Sequence, residues 1–339
     1  MVLCFGHRSW VNSEPTLNLL INGGANLECK DSEGVYCYED LRFAFSNFGK
    51  KGWIGTFPLS RAVKNSHYDV VKLLLKSKSN IDFAHYLGRT ALAHAILIND
   101  PKMVDLLIKF KAEVNGIIPD IYSIEELSFI YQAAQMNSFE LVRSLLDGKA
   151  DPNQDCEVYY KSALCAVFEN KDADIRIVKL LIEYKANIND ESGVLANAVI
   201  RCDFEIVKTL IDSKADPNLC DDGVPPLYYA AVGGHTNKVD LLLDAKADVN
   251  LKTKAESRSG HHHRPRATFH SKNHIPDPLS FAISTAVRFK HYDIVEELLR
   301  RGADHRHIFE SFTPSELSRD EKLIEILKIR GIENKEYCA

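Results

Sequence analysis

A phrase that recurs eight times constrains this chain more than its composition does. Each copy is an apolar pair, a short polar stretch, a small residue, and then Asn or Asp at alternate positions. LLKSKSNID, LIKFKAEVN, LLDGKADPN, LIEYKANIN, LIDSKADPN and LLDAKADVN are the clearest copies, with LLINGGANLE and LLRRGADHR towards the two ends. Their small residues are Ala25, Ser79, Ala112, Ala150, Ala186, Ala215, Ala247 and Ala303. Five of the seven gaps lie near a period of roughly 33 residues, and the other two are longer by about twenty; such a period fits one small supersecondary unit per copy. Length alone, at 339 residues, would indicate about two domains. A repeat of this kind overrides that expectation, because an array grows by adding units rather than cores.

Within a unit the apolar spacing is helical. Val70, Val71, Leu74 and Leu75 share one face, as do Val104, Leu107 and Ile108. Upstream of each lies a shorter Ala-rich segment, such as Ala91 to Ala95 or Tyr228 to Ala231, whose small residues let a first helix pack close against a second. Polar breaks such as Lys64-Asn65-Ser66-His67 and Gly233-Gly234-His235 separate the two. Each unit therefore reads as helix, tight turn, helix, loop.

These residues resemble the ankyrin-repeat family. The clearest unit runs from Cys220 to Leu251, with Gly223, the Pro226-Leu227 helix start, Ala230-Ala231, the Gly234-His235 turn and the Ala247-Asp248-Val249-Asn250 exit. A second, His85 to Gly116, follows the same register through Gly88, Thr90, Leu92, Ala95 and Asn115. The resemblance implies an all-α solenoid of helix-turn-helix units with short β-hairpin or loop fingers. Nine modules are expected over 1–339: an N-terminal cap (1–30), repeats at 31–83, 84–116, 117–154, 155–190, 191–219, 220–251 and 252–306, and a C-terminal cap (307–339). Thr313-Pro314-Ser315-Glu316 signals a helix start in that last cap, and Glu321 to Ile329 is amphipathic. The family's helix-start histidine is replaced by Ser60, Ala93, Cys165, Tyr228 and Ser280. The glycine expected before each exit alanine is replaced by Lys78, Lys111, Lys149, Lys185, Lys214 or Lys246, and a left-handed Lys costs roughly 1 kcal/mol against Gly.

The residual segments are two insertions. Near 35–55 stand Tyr36, Tyr38, Phe43, Phe45, Phe48 and Trp53, rings that either pack onto their own repeat or form a second binding lobe. Near 252–276 lies a His- and Arg-rich stretch, His261-His262-His263-Arg264-Pro265-Arg266, read as a solvated loop without a metal-ligand frame. The eight cysteines have no paired-ligand spacing and are expected as reduced thiols, which favours a cytoplasmic setting. No apolar run is long enough to cross a membrane. A net charge of -5 argues against a nucleic-acid partner. No phosphate loop, zinc-protease or nucleophile-elbow motif occurs, so neither catalysis nor a cofactor is expected.

The resemblance implies protein binding on a concave face built from finger tips and first-helix ends. Carried onto this sequence, the tips are Tyr86, Leu87, Arg89, Tyr159, Tyr160, Lys161, Asp221, Asp222 and Val224. The helix ends are Lys64, Asn65, Leu97, Ile98, Gln135, Met136, Glu169, Asn170, Ile200, Arg201 and Val232. The expected protein is a monomeric scaffold. Its degenerate repeats are similar in style to ankyrin effectors that intracellular bacteria deliver into the host cytoplasm, with a eukaryotic or viral cytosolic protein as the rival origin. An adaptor within a larger complex, or an enzyme with its chemistry in the insertions, are the alternative functions.

Overall fold

The computed structural model describes residues 58–84, 89–119, 126–154, 162–190, 192–221, 223–253 and 281–332. The N-terminal cap and most of both insertions lie outside them. Among the described residues, helices come in pairs: α1 (Pro58–Lys64) with α2 (Tyr68–Lys76), α3 (Ala91–Leu97) with α4 (Pro101–Lys109), and α5 (Phe129–Gln135) with α6 (Phe139–Asp147). Then follow α7 (Ala163–Val167) and α8 (Ile175–Glu183), α9 (Val194–Arg201) and α10 (Phe204–Asp212), α11 (Pro226–Val232) and α12 (Thr236–Asp244), and α13 (Ala282–Arg288) and α14 (Tyr292–Arg300). The described chain closes with α15 (Arg306–Ser311), α16 (Pro314–Leu317) and α17 (Glu321–Ile329). A small antiparallel hairpin, β1 (Ile117–Pro119) with β2 (Glu126–Ser128), pairs Ile117 with Ser128 and Ile118 with Leu127. The chain divides into two compact units, Met1–Val167 with Glu183–Ala186, and Phe168–Ile182 with Asn187–Ala339.

First helices pack on first helices (α1 on α3, α5 on α7, α9 on α11, α11 on α13), and α1, α3, α5, α9, α11 and α13 each lean on their own second helix. Alanine makes the close approach possible: Ala62, Ala95, Ala133, Ala134, Ala198, Ala230 and Ala231 are fully buried. Second helices bury one stripe, for example Val71 and Leu74, Val104 and Leu107, or Val207 and Leu210.

The exit phrase explains itself in hydrogen bonds. Its first polar residue shapes the loop: Asp216 Oδ1 accepts from the Asn218 amide at 2.9 Å, and Asp248 Oδ1 from the Asn250 amide at 2.9 Å. Its second reaches the next repeat. Asn218 Nδ2 donates to the Lys246 carbonyl at 3.4 Å while Asn218 Oδ1 accepts from the Asp248 amide at 2.7 Å. Asn189 clips Lys214 and Asp216 in the same way, and Asn250 clips Gly302 and Asp304. Asp82 has no amide to donate, and makes only the acceptor half, to the Glu113 amide at 2.9 Å.

The six exit lysines do adopt the left-handed region, with φ between 65° and 73°. At Lys78, Lys111, Lys149, Lys214 and Lys246 the amide and that of the following residue close back onto the helix, as Lys214 N to Ile211 O and Ala215 N to Leu210 O, in the bonding of a Schellman end. A cation beside the helix C-terminus offsets part of the strain. The C-terminal cap follows its sequence signals. Glu316 accepts from the Thr313 amide at 2.8 Å, and Asp320 caps α17 through the Leu323 amide. In the last pair the helix-start register differs from the expected one. The chain enters α13 through Phe281 as its N-cap, so the histidine-equivalent residue is the buried Ser284 rather than Ser280, and its hydroxyl donates to the His307 carbonyl at 2.8 Å. The Pro278-Leu279 pair imitates the family's helix start, and Ala282-Ile283 occupies its place.

A second ladder links second helices through phenols. Tyr68 donates to Asp100, and Tyr292 to Asp320, at 2.6 to 3.0 Å. Burial, reinforced by the neighbouring carboxylate, pushes both phenols up to about 12.

Two predictions follow from these ladders. Asn218→Ala loses both inter-repeat bonds and should lower unfolding stability by about 2 kcal/mol in urea, whereas Asn218→Asp, which keeps the acceptor, should lose about half as much. For the phenols, the folded value lies above the ordinary 10.0, so their contribution is intact below pH 10 and disappears as pH rises towards 12. An ultraviolet absorbance titration should show late-titrating phenols beyond the ordinary transition, with Tyr68→Phe and Tyr292→Phe each removing one; Tyr184, raised by its hydrogen bond to Asp147, also titrates late.

Candidate functional site

A first helix packed on both sides by its neighbours leaves little surface except at its C-terminal end. In the first unit, α1, α3 and α5 lie side by side and end in Lys64-Asn65, Leu97-Ile98 and Gln135-Met136. Ile98 is 37% exposed, Leu97, Gln135 and Met136 are half-buried, and Lys64 and Asn65 are exposed. These ends are held in place: Asn99 and Asn137 take the left-handed region (φ 54° and 52°), and the Ser138 hydroxyl donates to Asn99 Oδ1 at 2.8 Å. Arg89, half-buried, precedes the Thr90 cap of α3. Among the described residues of this unit, the other exposed large apolar residue is Ile117, on the hairpin.

In the second unit Asp221 and Val224 close a tight finger by mutual backbone bonds of 3.0 and 2.9 Å around Gly223, which has φ 80°. Val224 turns inward and is 5% exposed, so its side chain is not offered to a partner; an apolar residue two positions before a helix-starting proline packs under its own finger. Asp221 rests against Gly193, where an added Cβ would stand 2.5 Å from the Asp221 Cβ. Val232 is half-buried, and its carbonyl lies 3.3 Å from His291 Nε2. Tyr86, Leu87, Tyr159, Tyr160, Lys161, Asp222, and the insertion residues Tyr36, Tyr38, Phe43, Phe45, Phe48 and Trp53 lie outside the described residues.

Lys238 is a buried cation that the residue-by-residue reading missed. At 5% exposure it occupies a core position filled in the other pairs by Val70, Met103, Leu141, Ile177, Ile206 and Ile294. Its Nζ donates to the carbonyls of Val199 at 2.8 Å and Cys202 at 2.7 Å. Burial holds its pKa below the ordinary lysine value. The cause lies one repeat earlier. Where α1, α3, α5, α11 and α13 end on a left-handed Ser66, Asn99, Asn137, Gly234 or Lys290, Cys202 is extended, with φ -107° and ψ 165°. The usual closing bond, such as Gly234 N to Ala231 O, is therefore absent at Val199, and the lysine supplies the donor. Aligning the repeats against one another, rather than against a family pattern, would have exposed the charged residue in an apolar column.

Among the described residues no cluster of three His, Cys, Asp or Glu could hold a metal, and no helix is long and apolar enough to cross a membrane. Cys165 and Cys202 are buried thiols, as expected for packed first helices, and Cys220 is half-buried.

Comparison with known proteins agrees with this geometry. The ankyrin-repeat family pattern matches in three copies, at residues 9–118, 130–221 and 165–253. The chain belongs to the ankyrin-repeat family. It is similar to an ankyrin repeat protein of Acanthamoeba polyphaga mimivirus, 27% identical over 246 residues, which cover 61% of this chain and 31% of that one. It is also 27% identical over 201 residues to ankyrin repeat protein nuc-2 of Neurospora crassa, covering 57% of this chain and 18% of the other. The chain thus spans a third or less of those relatives' length. Among solved structures, an ankyrin repeat domain from Acinetobacter baumannii aligns with a TM-score of 0.50 and 29% identity over 56% of this chain and 98% of that one. The human ASB11 ankyrin repeat domain aligns with a TM-score of 0.52 and 18% identity, over 74% and 99%.

The buried lysine yields a prediction for the irregular turn at Cys202. Lys238→Met should destabilise by about 2 kcal/mol, because two buried carbonyls lose their donor. In a Cys202→Gly background, which permits the left-handed turn, the same change should be close to neutral, since Met fits the apolar column. Urea denaturation of the four chains checks it; additive effects would refute the compensation.

Proposed function

We propose that this chain is a non-catalytic scaffold that holds a partner protein on the exposed ends of its first helices. Ankyrin repeats are generally protein-protein interaction modules. The observation that carries the assignment to this face is the row Leu97, Ile98, Gln135 and Met136. Apolar and amide groups sit there, half out of the packing, on helices fixed from both sides. Rigid elements lose little freedom on binding, so contacts made there are converted efficiently into affinity. Exposed apolar positions of this kind mark interfaces.

The test is capture of partners from cell lysate by the full chain, with cross-links mapped by mass spectrometry. Leu97→Ala, Ile98→Ala and Met136→Ala combined should weaken capture at least about tenfold without lowering the melting temperature. Undiminished capture by that variant, together with loss on deleting residues 35–55, would move the site to the aromatic insertion.

A further inference from the structure

Two separate demands of the packing set an asparagine and a glycine side by side at one joint of the first unit. Asn115 belongs to the exit loop after α4, and its Oδ1 accepts from the Asp151 amide of the next repeat at 2.8 Å, the acceptor half of the clip. Gly116 packs against Phe129, the buried first residue of α5. A Cβ on Gly116 would stand 2.5 Å from that ring, and the Gly116 carbonyl accepts from the Phe129 amide at 3.1 Å. The first demand keeps the asparagine and the second keeps the glycine. The clip asparagines Asn153, Asn189, Asn218 and Asn250 are followed instead by Gln154, Asp190, Leu219 and Leu251, whose side chains screen the backbone nitrogen that a glycine leaves open.

We propose that Asn115 is a site of spontaneous deamidation, and that its isoaspartate product opens the joint between the exit loops at Asn115 and Asp151. Asn115 is exposed, so water and hydroxide reach it. The Gly116 amide nitrogen, its proton lost to hydroxide, attacks Asn115 Cγ. A nitrogen–carbon bond forms, the Cγ–Nδ2 bond breaks, and ammonia leaves with a proton taken from water. Water then opens the succinimide at either carbonyl, to aspartate or isoaspartate. The net change is one water taken up and one ammonia released, with nothing oxidised or reduced. The inter-repeat bonds favour the attack. The oxyanion of the tetrahedral intermediate forms on Oδ1, which already accepts from the Asp151 amide. The charge of the deprotonated Gly116 amide is shared with the Asn115 carbonyl oxygen, which accepts from Gln154 Nε2 at 2.6 Å. The leaving nitrogen is untethered: among the described residues Asn115 Nδ2 donates no hydrogen bond, whereas Asn153, Asn189, Asn218 and Asn250 bond theirs to the carbonyls of Lys185, Lys214, Lys246 and Gly302. Isoaspartate routes the main chain through the former side chain and lengthens it by one methylene, so the contacts to Asp151 and Phe129 lose their register. Aspartate keeps the acceptor and adds a charge near Glu113, whose Oε1 accepts from the Asn115 amide at 2.9 Å.

The experiment ages the full chain in mildly alkaline buffer at physiological temperature, in an Asn22→Gln background that removes the other Asn-Gly pair of the sequence. Samples are digested and mapped by mass spectrometry, with electron-transfer fragmentation to separate isoaspartate from aspartate. Asn115 should convert at least about tenfold faster than Asn153, Asn189, Asn218 or Asn250, mainly to isoaspartate, and faster as pH rises. Gly116→Ala would displace Phe129, so the informative variant is Gln154→Leu, which removes the donor to the Asn115 carbonyl. It should slow conversion at Asn115 at least about threefold in a chain that circular dichroism shows to be folded. Chains enriched in isoaspartate by ion exchange should unfold at lower urea than both the fresh chain and its Asn115→Asp variant. Conversion at Asn115 no faster than at the other four asparagines overturns the proposal, as does an unchanged rate in Gln154→Leu, which would leave the dipeptide alone responsible. A urea midpoint that conversion does not move overturns the opening of the joint.

Discussion

The asparagine clip between exit loops is the interaction on which the rest depends. One side chain uses both ends of its amide, donating to a carbonyl and accepting from a backbone amide in the following repeat. The carbonyl it seeks belongs to a residue in the left-handed region, which is turned outward only because the helix ends there. The clip thus ties three things into one requirement: where the second helix stops, the conformation of the residue after it, and the spacing to the next unit. Stability in such an array is carried by neighbours rather than by a single core. That is why lysines persist in a conformation better suited to glycine: the bond geometry needs the backbone, and an exposed cation at a helix end is a tolerable side chain.

Lys238 shows how the array absorbs a defect in that logic. An extended Cys202 leaves carbonyls at the end of α9 without their usual closing donors. A buried ammonium from the next repeat reaches back and bonds two of them. Ser284 is a milder case, where a hydroxyl bridges to the His307 carbonyl from the position at which the family carries histidine. In both, a polar group inside the packing is retained because leaving backbone groups unsatisfied would cost more.

The same packing determines where a partner can be met. Alanine-rich first helices are buried nearly to their ends, so their last residues and the turns after them carry the accessible chemistry. Acidic residues cluster on the second helices instead, where their neighbours are solvent and basic side chains such as Arg300 and Arg301 around Glu297.

The sequence by itself determined the repeat, the helix-turn-helix unit, the left-handed lysines and the amphipathic closing helix, because each rests on local periodicity or on a residue-specific backbone preference. It also located the helix ends Leu97-Ile98 and Gln135-Met136, since a repeat places equivalent residues in equivalent positions. Only the tertiary structure decided that Val224 faces inward, that Ser284 rather than Ser280 stands at the helix start, and that Lys238 belongs to the core. In all three cases the deciding contact comes from a neighbouring element or from the direction in which a turn closes. A pattern read along one repeat holds no information about the unsatisfied carbonyl in the repeat before it.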